Sequence, residues 1–414
     1  MKVFQINVVY DEKSTGRTCK EVEKELIKQG HEVCTAFGKG KSINANSYLI
    51  DTPLEYYTHN VLSRITGLQG YYSFFATKRL VKKIEKFNPD VIHLRNLHAN
   101  YLNLPLLFKY LAKSNTPVIQ NLHDCWVFTG KCPYYTFTGC EKWKSCCHNC
   151  PYLRKYPKSH FFDFTKKMYL DKKKWYSNIK NLTIVGVSDW VTNEGKKSFL
   201  NRPGVNFMRI YNWIDLSVFK KYDDELTKEK YKIDKSKFII LGVSAGWIEG
   251  TVRYNDFMKL ADKIDSDNMQ IVLIGTSPKP IEHKNILHFQ YISDVRELAK
   301  MYSMADVYIH MSVEDTFGKV IAEALACETP AIVYNSTGCS EIVGDGCGFV
   351  VKPRNINQVI DSINKIYNNE VKLDNMREWV TKEFNYEKNV NQLINLYTKL
   401  SKNRTNNYEE ATKN

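Results

Sequence analysis

The sequence has no apolar run approaching the length of a membrane-spanning helix, which sets aside the helical integral-membrane class. Its opening, Met1-Lys-Val-Phe-Gln-Ile-Asn-Val-Val-Tyr10, is too short and too strand-like for a signal peptide, so a cytoplasmic protein is expected. No Gly-x-Gly precedes Gly16-Arg17, so the dinucleotide fingerprint is missing from the first strand-to-helix turn. Among the cysteines there is one Cys-x2-Cys step rather than two.

What is present is a chain of 414 residues, 43% hydrophobic, long enough for two ordinary domains with cores of their own. The net charge of +14 is unevenly placed. Residues 1–214 carry 33 Lys and Arg against 16 Asp and Glu, leaving 26 against 29 in the remainder. A basic N-terminal half points to something anionic: a lipid surface, a phosphorylated acceptor or nucleic acid.

Strand-like and helix-like patterns alternate along the chain, which predicts an α/β fold with parallel sheets. The patterns predict strands at Lys2–Val9, 31–37, Val91–Leu94, 117–122, 182–188 and 208–215, with helices over 17–29, 77–87 and 102–111. A second series follows, with strands at 238–244, 269–275, 286–292, 305–311 and Ala331–Tyr334 and helices over 294–302, 355–368 and 375–400. Ligands in such sheets sit beyond the C-terminal ends of strands. Asn96, His98, His123 and Asp124 fall at two successive strand ends, and Gly16 and Arg17 at the first.

The stretch Ser312–Pro330 concentrates the chemistry. An apolar strand runs into Ser-Val-Glu-Asp-Thr-Phe-Gly-Lys-Val, and a helix pattern carrying Glu323 follows. A strand, a glycine turn and a helix N-terminus together form an anion site, because first-turn amides are unpaired and the helix dipole adds positive charge. Glu323, one to two turns in, would accept hydrogen bonds from ligand hydroxyls. Phosphate at the amides and hydroxyls at a carboxylate describe a nucleotide sugar.

Asp315-Thr-Phe-Gly-Lys-Val-Ile-Ala-Glu323 resembles the acid-x7-Glu signature of the family 4 glycosyltransferases of the GT-B fold. Asp315 fills the first acid's slot, and Glu314 lies one place out of register. Asn96-Leu-His98 and Leu122-His-Asp-Cys-Trp-Val-Phe-Thr-Gly130 resemble the branch found in bacterial capsule, colanic-acid and other exopolysaccharide pathways. Met208-Arg-Ile-Tyr-Asn-Trp-Ile-Asp215 is similar to the family's step into its second domain. The family's Arg and Lys-Gly pair after the first strand of that domain is reduced here to Arg253.

The resemblance implies a GT-B protein, with two doubly wound Rossmann-like domains facing a cleft. These would be an acceptor-side domain over 1–214 and a nucleotide-sugar domain over 215–375. A helix over 376–402 would cross back, and a disordered tail would occupy 403–414. The implied activity is retaining transfer of a sugar from a nucleotide-diphosphate sugar to a glycan or lipid-linked glycan acceptor. In this reading His123, Asp315 and Glu323 carry the chemistry. Gly16, Arg17, Arg253, Glu314, Thr316, Phe317, Gly318 and Lys319 line the donor, and Asn96, His98 and Asp124 the acceptor side. The chemistry would need no cofactor, and no Asp-x-Asp motif stands beside the site. A GT-B epimerase or phosphorylase, and a basic zinc-containing nucleic-acid binder, are the alternative readings.

Two segments stand apart. Residues 132–150 hold five of the 11 cysteines, and Cys132, Cys140, Cys147 and Cys150 make a candidate structural zinc site. Residues 151–180 carry nine basic residues interleaved with aromatics. That pattern suits either a helix lying on an anionic membrane or one packed on its own domain.

Overall fold

A computed structural model describes residues 1–40, 44–223 and 225–413. The chain divides into two units. The first is Met1–Ile210 together with the chain from Val390 onward, and the second is Tyr211–Asn389.

In the first unit, β1 (Lys2–Val9), β2 (Glu32–Lys39), β3 (Ser47–Leu49), β4 (Val91–Leu94), β5 (Val118–Leu122), β6 (Leu182–Gly186) and β7 (Asn206–Arg209) form one sheet in the order β3-β2-β1-β4-β5-β6-β7. Every pairing is parallel. The sheet's central strands are buried almost throughout, which explains why they read as continuous apolar runs rather than alternating ones. Val3, Phe4 and Ile6 of β1 are fully buried, as are Ile92, Ile119 and Ile184 of the neighbouring strands.

In the second unit, β8 (Phe238–Gly246), β9 (Met269–Thr276), β10 (Ile286–Phe289), β11 (Val307–His310), β12 (Ala331–Tyr334) and β13 (Gly348–Val351) form a second parallel sheet, ordered β10-β9-β8-β11-β12-β13. Its core gathers Ile240, Ile271, Leu273, Val307, Ile309 and Ile332. Strand order reverses between β1 and β4 in the first sheet and between β8 and β11 in the second. Loops leaving the C-terminal ends of neighbouring strands splay apart at such a reversal and open a crevice.

The structure corrects several expected boundaries. The first helix is Lys13–Lys28, so Gly16 lies in its first turn rather than in a preceding loop. Its N-cap is Glu12. A Cβ on Gly16 would stand 3.1 Å from the Asp11 nitrogen and 3.2 Å from the Tyr10 carbonyl carbon, so a larger residue would press on the turn after β1. β7 ends at Arg209, and the following Tyr211–Asp215 stretch makes one bridge, Ile214 to Asn385, instead of a strand.

That bridge also explains why the expected helix over 375–400 is two helices, Met376–Glu383 and Tyr386–Lys413. The break leaves the Phe384 carbonyl to accept the Ile214 N–H at 2.8 Å, and the Phe384 ring packs on Tyr211 and Phe317. The first of these helices belongs to the second unit, and the chain joins the first unit only from Val390. The last helix, Tyr386–Lys413, contains no Pro or Gly. Among the described residues no helix is long and apolar enough to cross a membrane.

Candidate active site

In the first unit the expected site residues Asn96, His98, His123 and Asp124 gather where β4 and β5 end. The Asn96 N–H donates to Asn7 Oδ1 at 3.2 Å, tying the loop after β4 to β1. Asn96 Oδ1 in turn accepts the His98 N–H. His98 Nε2 lies 2.9 Å from Asp124 Oδ2, and its Nδ1 lies 2.7 Å from the Tyr156 hydroxyl. Asp124 Oδ1 accepts the Trp126 N–H at 2.8 Å. A carboxylate, an imidazole and a phenol therefore form one chain, with the acid end rigidly held.

Burial works against ionisation of Asp124, but the His98 contact and the Trp126 amide hold its carboxyl below the usual range. Next to it, burial and then the Arg95 cation push His123 down to about 3, against the opposing pull of Asp124. A neutral imidazole at this position can accept or donate one hydrogen bond but carries no charge near pH 7. Arg95 itself is buried and donates to Thr18 Oγ1 at 3.0 Å and Cys19 Sγ at 3.3 Å. Arg17, further toward the surface, bonds back to the Lys13 carbonyl.

In the second unit the loops after β8 and β11 meet at the reversal. Arg253, the second residue of the helix Val252–Ala261, reaches back to the end of β8, where Nη1 donates to Ser244 Oγ at 2.6 Å. His310 closes β11 with its Nε2 3.5 Å from Asp315 Oδ2. Asp315 Oδ1 accepts the Gly318 N–H at 3.2 Å. Burial opposes ionisation of Asp315, yet the His310 contact and the His310 and Arg253 charges hold its carboxyl low.

Ligand atoms of His310, Asp315 and Cys339 lie within 4.8 Å of one another. Arg253 already supplies positive charge beside them.

Gly318 caps the helix Lys319–Ala326 at φ +75°, a left-handed conformation that favours glycine. A Cβ there would meet Ile321 Cδ1 at 2.7 Å and Cys339 Sγ at 3.3 Å. Glu323 is the fifth residue of this helix and is buried, with the Tyr302 hydroxyl 3.2 Å from Oε2. Phe317 and Thr316 are buried beneath the loop, while Glu314 and Lys319 are half-buried at its surface. Arg253, Asp315, Gly318 and Glu323 thus belong to one constellation in the second unit.

Sequence reasoning missed Tyr156, Ser244, Tyr302 and His310. His310 was legible as the last residue of an apolar strand beside the acid motif. Tyr156 carried no signal, because it comes from the irregular stretch beyond the cysteines.

None of the eleven cysteines forms a disulfide. Cys132, Cys140, Cys147 and Cys150 line one cavity of about 20 Å³, and Cys146 does not. Burial, then the neighbouring sulfurs of Cys150, Cys147 and Cys140, push the Cys132 thiol up to about 12.

Comparisons with known proteins agree with this architecture. The family model for Glycosyltransferase Family 4 matches residues 15–218, and that for Glycosyl transferases group 1 matches residues 223–383. A relative, the putative colanic acid biosynthesis glycosyl transferase WcaC of Escherichia coli K12, is 23% identical over 377 residues, covering 87% of this chain and 89% of its own. Sucrose-phosphate synthase from Thermosynechococcus elongatus superposes with a TM-score of 0.68 at 16% identity, over 96% of this chain and 98% of its own. The Anabaena protein HepE, solved with UDP-glucose, superposes with a TM-score of 0.64 at 12% identity, over 96% of this chain and 100% of its own.

Two parallel-sheet domains of this topology are those of the GT-B glycosyltransferases, and the protein is an enzyme of that class. With one family model on each half, the chain belongs to the family 4 glycosyltransferases.

Proposed function

We propose that the protein moves a sugar from a nucleotide-diphosphate sugar to a glycan or lipid-linked glycan acceptor during bacterial surface-polysaccharide synthesis, with retention of anomeric configuration. The observation behind this reading is the constellation at the β8/β11 reversal, where a cation, a glycine-capped helix start and a buried carboxylate stand together. In such a transfer negative charge grows on the departing diphosphate while the sugar ring becomes oxocarbenium-like.

Arg253 and the amides at the start of the helix Lys319–Ala326 would stabilise the diphosphate. Asp315 now accepts the Gly318 amide, so donor binding exchanges an internal acceptor for a phosphate oxygen or sugar hydroxyl. Glu323 would hold the ribose hydroxyls. On the acceptor side, neutral His123 would face the reacting sugar, and the Asp124–His98–Tyr156 chain would orient acceptor hydroxyls. The names of the relatives support the substrate class: WcaC is described as a colanic acid enzyme, and HepE was solved with UDP-glucose. Calorimetric titration with a panel of nucleotide sugars tests the donor. Binding of at least one, weakened in Arg253→Ala, is expected, and no binding to any would refute the reading.

Acceptors on lipid carriers lie at membrane surfaces. The helix Pro53–Thr66 exposes Leu54, Tyr57, Val61 and Ile65 along one stripe. Its Arg64 carbonyl accepts the His160 N–H, which brings exposed Phe161 and Phe162 alongside. Exposed Arg154, Lys155 and Lys158 precede these rings in the chain, and exposed Lys166 and Lys167 follow them. Apolar side chains ringed by cations suit an anionic bilayer. Of the two readings of the basic and aromatic segment, its helix Thr165–Ser177 follows the packed one, burying Met168, Tyr169, Lys172 and Tyr176 in its own unit. Co-sedimentation with phosphatidylglycerol vesicles at low salt, absent with phosphatidylcholine, is the expected result, and no sedimentation with either would overturn this part.

A further inference from the structure

Between Leu122, where β5 ends, and Thr165, where the next α-helix begins, the chain runs about forty residues with a single 3-10 turn, Lys142–Lys144. Irregular stretches of this length need a staple of their own, because they form few ladder bonds. Its apolar centre is small: Trp143 packs on Phe128 and Tyr135 with ring centroids 5.1 and 4.9 Å apart.

From this setting we infer that Cys132, Cys140, Cys147 and Cys150 form a structural tetrathiolate zinc site. These four of the five clustered cysteines border the same small cavity, which has room for one water-sized occupant. The sulfurs are already given donors of the kind that orient thiolates on a metal. The Gly130 N–H points at Cys147 Sγ from 3.1 Å. The loop position of Gly130 is fixed by this approach, since a Cβ there would stand 2.7 Å from Cys147 Cβ and 2.6 Å from the Thr165 carbonyl. Cys150 is anchored through its own N–H, which donates to Asp163 Oδ2 at 2.7 Å. His148 also borders the cavity, but its Nδ1 lies 2.9 Å from the Cys146 carbonyl oxygen.

Charge makes the second, independent argument. Lys131 and Lys172 are both buried, and the carboxylates that act on them are Asp163 and Asp124, respectively. Lys131 Nζ donates to the Leu153 carbonyl at 2.5 Å, and Lys172 Nζ to the Trp126 and Thr129 carbonyls at 2.6 and 3.1 Å. Buried cations call for nearby negative charge. Zinc on four thiolates carries a net charge of about −2, which two ammonium groups balance. The sulfurs of Cys150 and Cys132 act on Lys131, and those of Cys147 and Cys132 on Lys172, ahead of the Asp163 and Asp124 carboxylates.

Binding forms four Zn–S bonds as four thiol protons leave to solvent, so affinity rises with pH. No three of the sulfurs lie within 4.8 Å of one another, so binding must draw them together. The irregular backbone permits that. The bound ion would fix the segment that supplies Tyr156 to His98.

Metal analysis of the full chain, purified under reducing conditions and supplemented with zinc, decides the matter without reference to transferase activity. About one zinc per chain is expected, retained in Cys146→Ser and lost in Cys147→Ser and Cys150→Ser. Cobalt exchanged into the wild-type protein should give thiolate-to-metal charge-transfer absorption of a tetrahedral sulfur site. A folded wild-type chain without stoichiometric zinc would overturn the inference even if the serine variants fail to fold. So would iron with inorganic sulfide, or zinc lost in Cys146→Ser.

Discussion

Replacing Glu323 separates donor binding from folding. The side chain is buried on the helix Lys319–Ala326 and accepts from the Tyr302 hydroxyl at 3.2 Å. Glu323→Gln has the same shape and keeps an acceptor for that hydroxyl, so its folding cost should be about 1 kcal/mol or less. Glu323→Ala strands the buried Tyr302 hydroxyl and should cost about 1–3 kcal/mol in stability. Against the donor the ranking is set by charge. Two ribose hydroxyls bonded to a carboxylate contribute about 1.5–3 kcal/mol each.

Removing both in Glu323→Ala predicts a loss of about 3–6 kcal/mol, or roughly two to four decades in kcat/KM. Glu323→Gln, keeping neutral hydrogen bonds, should lose about half of that free energy. The assay is release of nucleoside diphosphate under kcat/KM conditions, with thermal melts on the same preparations. Wild-type kcat/KM in a folded Glu323→Gln protein would refute the role assigned to this carboxylate.

Arg253→Ala should weaken nucleotide-sugar binding by roughly 10-fold or more, since it removes a charge-assisted contact of about 1.5–3 kcal/mol. Unchanged calorimetric affinity would argue against it. Gly318→Ala forces a side chain into a left-handed position 2.7 Å from Ile321 Cδ1, and a melting temperature lowered by several degrees is expected from a cost of about 1–3 kcal/mol.

The pH dependence follows from buried histidines. Burial holds His59 down to about 3, and burial with the Arg95 cation does the same to His123. Between an unfolded value of about 6.5 and the folded value, the unfolded chain binds protons that the native one refuses. Stability should therefore fall as pH drops below about 6.5, by up to about 1.4 kcal/mol per pH unit for each histidine. Urea melts giving equal stability at pH 6.5 and 4.5 would count against the assignment.

Most of the sheet was legible, because parallel strands buried on both faces are uniform apolar runs: β4 and β12 have the predicted bounds. The helix Pro53–Thr66 was not, for an instructive reason. Its buried residues are His59 and Ser63, while Leu54, Tyr57, Val61 and Ile65 face outward, so the apolar stripe marks the wrong side. The signal that could have found it was the Thr52-Pro-Leu-Glu55 capping box. The edge strand β13 was hidden by Gly348, which sits at φ +148° where a Cβ would collide with the Ala331 backbone.

At the site, Asp315, Gly318, Glu323, His98 and Asp124 could be named because a motif or a strand end marked them. Tyr156, Tyr302 and Ser244 join through tertiary packing, with partners 58, 21 and 9 positions away that no local pattern marks. The two buried lysines beside the cysteines belong to the same class.

The central claim is sugar transfer from a nucleotide sugar with retention. The direct measurement follows the anomeric carbon by NMR, with a donor identified by calorimetry and a glycan or lipid-linked acceptor. The account predicts release of nucleoside diphosphate together with a product whose new glycosidic bond has the anomeric configuration of the donor. An inverted product would contradict it, and so would a rearranged nucleotide sugar or a free sugar phosphate in place of a glycoside.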